Sequence, residues 1–142
     1  MKTNKFLLIA GLIFCFTSCT TDYVASVELQ LINNSSKTIY ILNYNNKVQH
    51  AIDIGANYTL NTTFESKKDA GNSINPIAVW DGNLLTSFRY DNEVTIAINK
   101  TPCNDKSAYK VIKKRKLNGK FSYTFTDDDY QYALENGTVL EL

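Results

Sequence analysis

The side chains that could carry catalysis are few. The chain has one histidine, His50, and one cysteine beyond the N-terminal segment, Cys103. Nucleophilic catalysis needs a base beside the nucleophile. His50 shares the apolar side of a predicted strand with Val48 and Ile52, which favours a structural histidine. No motif around Cys103 indicates an activated thiol. This pattern predicts a protein that is not an enzyme.

The acidic residues do not form a recognisable catalytic or metal-binding motif. Asp127, Asp128 and Asp129 are consecutive, whereas a calcium site needs oxygen ligands spaced to surround the ion. They fit better as the first turn of a helix, where the helix dipole favours negative charge. No other pair of acids has the placement of opposed glycosidase carboxylates. We therefore expect no metal and no cofactor, and a hydrolase is the weakest alternative.

A basic run, formed by Lys113, Lys114, Arg115 and Lys116, is the sharpest charge feature. It could contact an anionic surface such as lipid phosphates or an acidic glycan. A solvated hairpin turn is the alternative, because Asn118-Gly119 follows closely and charged strand edges discourage aggregation. Without Lys2 and Lys5 of the N-terminal segment, the 15 Lys and Arg residues fall to 13 against 14 Asp and Glu, and this net charge of −1 predicts no nucleic-acid partner.

Aromatic residues offer a second candidate surface. The segment 38–44 is apolar on both faces, so that Ile39 and Ile41 can enter a core while Tyr40 and Tyr44 lie opposite. Exposed tyrosines, joined by Trp80, would suit sugar rings or a protein partner. The alternative is that a C-terminal helix covers this face.

The N-terminus predicts the location of the protein. Lys2 and Lys5 precede the apolar run 6–16, which is too short to span a membrane and is typical of a secretory signal. The following Phe16-Thr17-Ser18-Cys19 resembles a bacterial lipobox, which implies acylation at Cys19. The residue after it, Thr20, implies sorting to the outer membrane, on either of its faces. We predict a signal peptide at 1–18, a lipid-anchored leader at 19–26 and a single domain at 27–142.

Alternating apolar and polar residues continue from Val27 to the C-terminus, which is typical of half-buried strands. Turn residues at regular spacing predict one antiparallel β-sandwich of about seven to nine strands. Two of these strands, Ile77–Trp80 and Leu84–Tyr90, are predicted to flank a turn at Asp81-Gly82-Asn83. One short helix is predicted at Asp127–Glu135, with Thr126 and Asp129 as a capping box.

Two segments carry a family resemblance. The run Phe121–Ala133 alternates aromatic residues and then reads Thr-x-x-Asp-Tyr-x-x-Ala, and Val79–Leu85 reads as a strand, a turn and a strand. Together with the signal segment, they resemble small Bacteroidota-type lipoproteins. The resemblance implies an envelope address and a β fold, and it brings no known active residues.

The sequence therefore favours a lipid-anchored binding or accessory module of the cell envelope. Its expected partners are the membrane, reached through the lipid, and a glycan or an envelope protein. A structural subunit that pairs through a β edge is the alternative.

Overall fold

The computed structural model describes residues 22–141, which form two packed β-sheets. The predicted signal peptide and Cys19 lie outside these residues. The described strands are β1 (Tyr23–Asn33), β2 (Ile39–Asn43), β3 (Val48–Ile52), β4 (Asn57–Ser66), β5 (Leu85–Tyr90), β6 (Val94–Ala97), β7 (Lys110–Lys114), β8 (Asn118–Phe125) and β9 (Thr138–Val139). Two α-helices accompany them, α1 (Ala78–Gly82) and α2 (Asp127–Asn136). None of the helices within residues 22–141 is long and apolar enough to cross a membrane.

The sheets have the strand orders β4-β1-β8-β7 (sheet A) and β3-β2-β5-β6-β9 (sheet B). The predicted β-sandwich is therefore confirmed. It is not wholly antiparallel, because β1 and β8 pair in parallel with Leu29 opposite Phe121. Parallel neighbours require a long crossover connection. Here four of the five strands of sheet B, β2, β3, β5 and β6, lie between the two strands along the chain.

The core follows the alternation in the sequence. Val27, Leu29 and Leu31 are 0% exposed on the inner face of β1, and Phe121 and Phe125 are buried on β8. Such a leucine or phenylalanine side chain contributes roughly 1.5–3 kcal/mol when it is fully buried. The strand also begins earlier than its apolar alternation indicated. Residues 23–26, which were assigned to the leader, pair with the end of β4.

The segment Ile77–Trp80, predicted as a strand, instead forms the N-cap and the first three residues of the short helix α1. A short apolar run does not distinguish a buried strand from a buried helix. The Asn83 side chain donates to the carbonyl of Asn61 at 3.0 Å, on the β4 edge that β1 leaves free. Gly82 lies so close that a Cβ there would meet the Thr62 hydroxyl at 2.0 Å. Helix α1 thus covers the middle of an edge strand, which limits pairing with other chains.

Helix α2 carries the chain from sheet A to sheet B. It starts at Asp127, as predicted, and the Asp129 carboxylate accepts the backbone N–H of Thr126 at 2.8 Å. Ala133 is fully buried, and the Tyr130 ring lies against Tyr90. The Tyr130 hydroxyl donates to Glu93, which also binds the Lys37 ammonium at 2.7 Å. These polar contacts attach the helix to the turn between β5 and β6.

Asn33 joins the two sheets where β1 ends. Its side chain is fully buried, and its amide donates to the carbonyls of Ile52 at 2.9 Å and Lys37 at 2.8 Å. Its side-chain oxygen accepts the Ser35 backbone N–H at 3.0 Å and the Ser35 hydroxyl at 2.7 Å. One side-chain amide at the end of a sheet A strand therefore satisfies backbone groups of sheet B and of the connection between the sheets.

We expect Asn33→Ala to lower the free energy of unfolding by about 2–4 kcal/mol, because it leaves buried carbonyls without a donor. Urea denaturation measures this change. Asn34→Ala is the matched control, since the adjacent side chain is exposed, and it should change stability by less than about 0.5 kcal/mol. Equal effects of the two substitutions would show that the Asn33 amide has no special role.

Candidate functional site

The two candidates for nucleophilic catalysis lie in structural positions. His50 is half-buried and its ring lies 4.6 Å from that of Tyr58. Burial lowers the pKa of His50. The pairing of β2 with β3 contains a β-bulge, which shifts the register between Ile41 and Leu42. His50 therefore lies opposite Ile41, whereas Val48 lies opposite Leu42 and does not share the inner face with His50. The histidine contributes to packing between the two sheets.

Cys103 lies in a buried polar cluster. Its side chain is 1% exposed, and burial raises the pKa of the thiol to about 12. Its carbonyl accepts the Tyr109 hydroxyl at 2.5 Å, and that hydroxyl accepts the indole N–H of Trp80 at 2.7 Å. A thiol in this setting stays protonated at neutral pH, so it is a poor nucleophile.

Trp80 is therefore buried and, contrary to the expectation from the sequence, does not join Tyr40 and Tyr44 in an exposed aromatic surface. Its side chain is 2% exposed and its ring packs edge-to-face on Phe88 at 5.3 Å. Helix α1 turns it into the sandwich, where the Tyr109 hydroxyl satisfies its single donor. A strand at 77–80 would have given these side chains different directions.

The predicted tyrosines occupy different settings on sheet B. Tyr40 lies on the outer face and is half-buried, because the Arg89 guanidinium lies over its ring at 4.6 Å. Tyr44 follows the end of β2 and is 68% exposed. Helix α2 does not provide the cover expected from the alternative interpretation, since it packs on β6, on β9 and on Tyr90 of β5.

Arg89 is the functional candidate that the sequence did not indicate. It lies opposite Tyr40 on β5, and its Nε donates to the carbonyl of Asp91 at 3.1 Å. No carboxylate in the described part of the chain forms an ion pair with it. The guanidinium is thus held in place by an aromatic ring and a carbonyl, while its remaining N–H groups lack a charged partner.

A depression of about 400 Å³ lies beside Arg89 on the outer face of sheet B. Its lining residues are Leu42, Asn46, Arg89, Thr95, Thr138 and Leu140. Leu42 makes part of this lining apolar. Its side chain lies on the outer face of sheet B and is only 3% exposed. An apolar surface with a few convergent polar groups is typical of small-ligand sites. We call this surface the Tyr40–Arg89 face.

The basic residues 113–116 form a fully exposed turn region. Lys113 and Lys114 end β7, the edge strand of sheet A, and Arg115 and Lys116 follow in the connection to β8. The Arg115 N–H donates to the carbonyl of Asn118 at 2.7 Å, which closes the hairpin. We call residues 113–116 the basic turn. Its position fits both interpretations of the sequence, namely a solvated hairpin and a contact for an anionic surface.

The acidic residues at the start of α2 serve structural contacts. Asp127 accepts the N–H and hydroxyl of Ser36, which lowers the pKa of its carboxyl group. Asp129 accepts the Tyr123 hydroxyl at 2.6 Å in addition to its capping bond. Within residues 22–141 no group of three potential metal ligands lies together.

Comparison of the chain with family models, curated proteins and solved structures finds no match. By its fold, the described part of the chain is an all-β sandwich. Two of its surfaces are candidates for binding, the Tyr40–Arg89 face and the basic turn.

We expect Cys103 to resist modification by Ellman's reagent at pH 8 in the folded protein. A thiol pKa of about 12 leaves roughly a thousandfold less thiolate than a free cysteine has. A chain with Cys15→Ser and Cys19→Ser isolates this thiol for a kinetic assay with and without denaturant. Adding Ser73→Cys, at an exposed position, supplies a fast-reacting control. Equal rates for Cys103 and the control site would contradict the buried setting.

Proposed function

We propose that this chain is a lipid-anchored module of the bacterial cell envelope that acts by binding. Acylation of Cys19 holds it at the outer membrane, as the lipobox-like segment indicates. Its β1 strand starts at Tyr23, so only a short leader separates the lipid from the sandwich. With more than one acyl chain, release from the membrane is slow.

The observation that carries the binding proposal is the placement of Arg89 over Tyr40. A guanidinium fixed on an aromatic ring loses little freedom when it binds a ligand, and its planar fork matches a carboxylate. The hydroxyls of Thr95 and Thr138 and the amide of Asn46 line the same depression. These groups suit a ligand with many hydroxyls and one negative charge.

We infer that the ligand is an acidic saccharide, such as a glycan that contains uronic acid. The carboxylate would pair with Arg89, and the sugar hydroxyls would bind the polar groups around it. The exposed ring of Tyr44 offers an aromatic surface of the kind on which sugar rings pack. A neutral glycan would leave the guanidinium without a charged partner.

Assembly through a β edge is the second candidate, and the exposure of β7 favours it. All five residues of this edge strand are exposed, including Val111 at 56% and Ile112 at 46%. An extended segment of another protein could add to such an edge. The longer edge strand β4 is less open, because Asn83 occupies one of its carbonyls.

The binding proposal is tested by calorimetric titration with a digalacturonate and with a neutral galactose disaccharide. We expect the full chain to bind the acidic sugar and to discriminate against the neutral one. Arg89→Gln should weaken binding of the acidic sugar about 10–100-fold, because a charge-assisted hydrogen bond contributes roughly 1.5–3 kcal/mol.

Lys106→Gln removes an exposed positive charge away from the depression and is the matched control, with wild-type affinity expected. Circular dichroism checks that Arg89→Gln leaves the sheet intact. If the two variants bind equally well, the Tyr40–Arg89 face is not the binding site. If wild-type protein does not distinguish the two sugars, the ligand class is wrong.

The anchor is tested separately by intact mass and membrane fractionation of the protein made in a bacterium that processes lipoproteins. We expect the wild-type chain to lose residues 1–18, to gain the mass of a diacylglycerol group or more, and to sediment with outer membranes. Cys19→Ala should abolish the mass gain and the sedimentation. An unmodified, soluble wild-type protein would contradict the anchor without affecting the binding test.

A further inference from the structure

Positive charge is concentrated at one end of the sandwich. The basic turn lies beside the loop after β4, because the Ala70 N–H donates to the Lys116 carbonyl at 2.8 Å. That loop adds Lys67 and Lys68, both exposed. We call the six side chains of Lys67, Lys68 and the basic turn the basic end.

The basic charges are largely uncompensated. No ion pair in the described residues engages any of the six. Lys113 also lies opposite Lys120 on β8, and the Glu28 carboxylate engages Lys120 rather than Lys113. Four acids lie near the six basic residues, Asp22, Glu28, Glu65 and Asp69, and are too few to balance them, since Glu28 is already engaged by Lys120 at 3.2 Å. Folding therefore assembles these charges at a cost that an external anion would relieve.

The N-terminal strand enters the domain at this same end. Tyr23 lies opposite Ser66, the residue before Lys67, and the Ser26 N–H donates to the carbonyl of Leu117 at 2.8 Å. Cys19 precedes Tyr23 by four residues, which span at most about 14 Å when fully extended. A lipid on Cys19 therefore holds the basic end within about two Debye lengths of the headgroups at physiological salt.

The opposite end of the sandwich is acidic. Asp53, Asp91 and Glu93 lie in the turns there, and the exposed Asp127 and Asp128 begin α2. Their shared location follows from bonds across this end, including Thr38 N–H to Asp91 at 2.9 Å and Ser36 N–H to Asp127 at 2.7 Å. Two basic residues lie near them: Lys37, which Glu93 and Asp91 engage, and Arg89, which donates to the Asp91 carbonyl.

We propose that the basic end rests on the anionic phospholipid headgroups of the membrane that holds the lipid. This inference builds on the proposed anchor at Cys19. The charge asymmetry orients the domain, with the acidic end directed away from the negatively charged surface. The lipid then attaches the domain to the membrane, and the basic end orients it. In this orientation the Tyr40–Arg89 face lies on the side of the sandwich, between the basic end and the acidic end.

Vesicle sedimentation tests this contact without the lipid. Residues 19–142 carrying Cys19→Ala, the chain that remains once the predicted signal peptide is removed, are mixed with vesicles of phosphatidylcholine alone or with added phosphatidylglycerol. We expect binding to the anionic vesicles to exceed binding to the neutral ones and to fall as salt is raised. Each basic residue near such a surface strengthens binding about fivefold. Replacing all four residues of the basic turn with Gln should therefore weaken binding at least about tenfold.

A matched pair of variants separates position from net charge. K114Q/K116Q and N57D/N92D each make the net charge more negative by two units, but at opposite ends of the sandwich. Only K114Q/K116Q should weaken binding severalfold, and K114R/K116R should bind like the parent chain. Equal losses from the Gln and Asp pairs would overturn the orientation. Binding to heparin but not to anionic vesicles would overturn the lipid partner in favour of an acidic glycan. Because every chain here lacks the acyl group, these results do not depend on the mass measurement for Cys19.

Discussion

The arrangement of the sandwich depends on one buried amide. Asn33 ends β1 and makes four hydrogen bonds, which reach Ile52 in sheet B and the connection at residues 35–37. An unpaired amide or carbonyl at this depth would be destabilising by about 1–3 kcal/mol, so the bonds are mutually dependent. The residue fixes where the chain leaves one sheet and enters the other. The turns of the acidic end, and with them the attachment of α2, are built around that crossing point.

Local sequence patterns predicted most of the strands and the helix α2, but they did not predict which strands are neighbours in a sheet. Alternation identified the inner faces of β1, β4 and β8, and the capping pair Thr126 and Asp129 gave the start of α2 correctly. The parallel pairing of β1 with β8 could not be predicted, because alternation gives the face of a strand and not its neighbour. Ile77–Trp80 was misassigned since four apolar residues fit either a strand or a helix turn. Trp80 was misplaced as a consequence.

The candidate surfaces differ in how far the sequence could reveal them. The basic turn is contiguous, so its charge is visible directly, whereas its proximity to the N-terminal strand requires the pairing of Ser26 with Asn118. Tyr40 was found by its parity on β2. Arg89 was missed because its importance comes from β5 lying beside β2, which brings the guanidinium over the ring. A single arginine in an alternating strand carries no local signal of that contact.

The parallel pair also has a consequence for how the chain acquires its structure. β1 is synthesised before the other strands, whereas its neighbour β8 lies near the C-terminus. The contact between Leu29 and Phe121 therefore cannot form until β8 has been synthesised. Such non-local pairing slows folding, because a long loop must close before the contacts form. Sheet A therefore cannot be completed until almost the entire polypeptide is available. Under the export proposed above this delay is favourable, since a polypeptide that folds late remains extended enough to be threaded through a translocation channel.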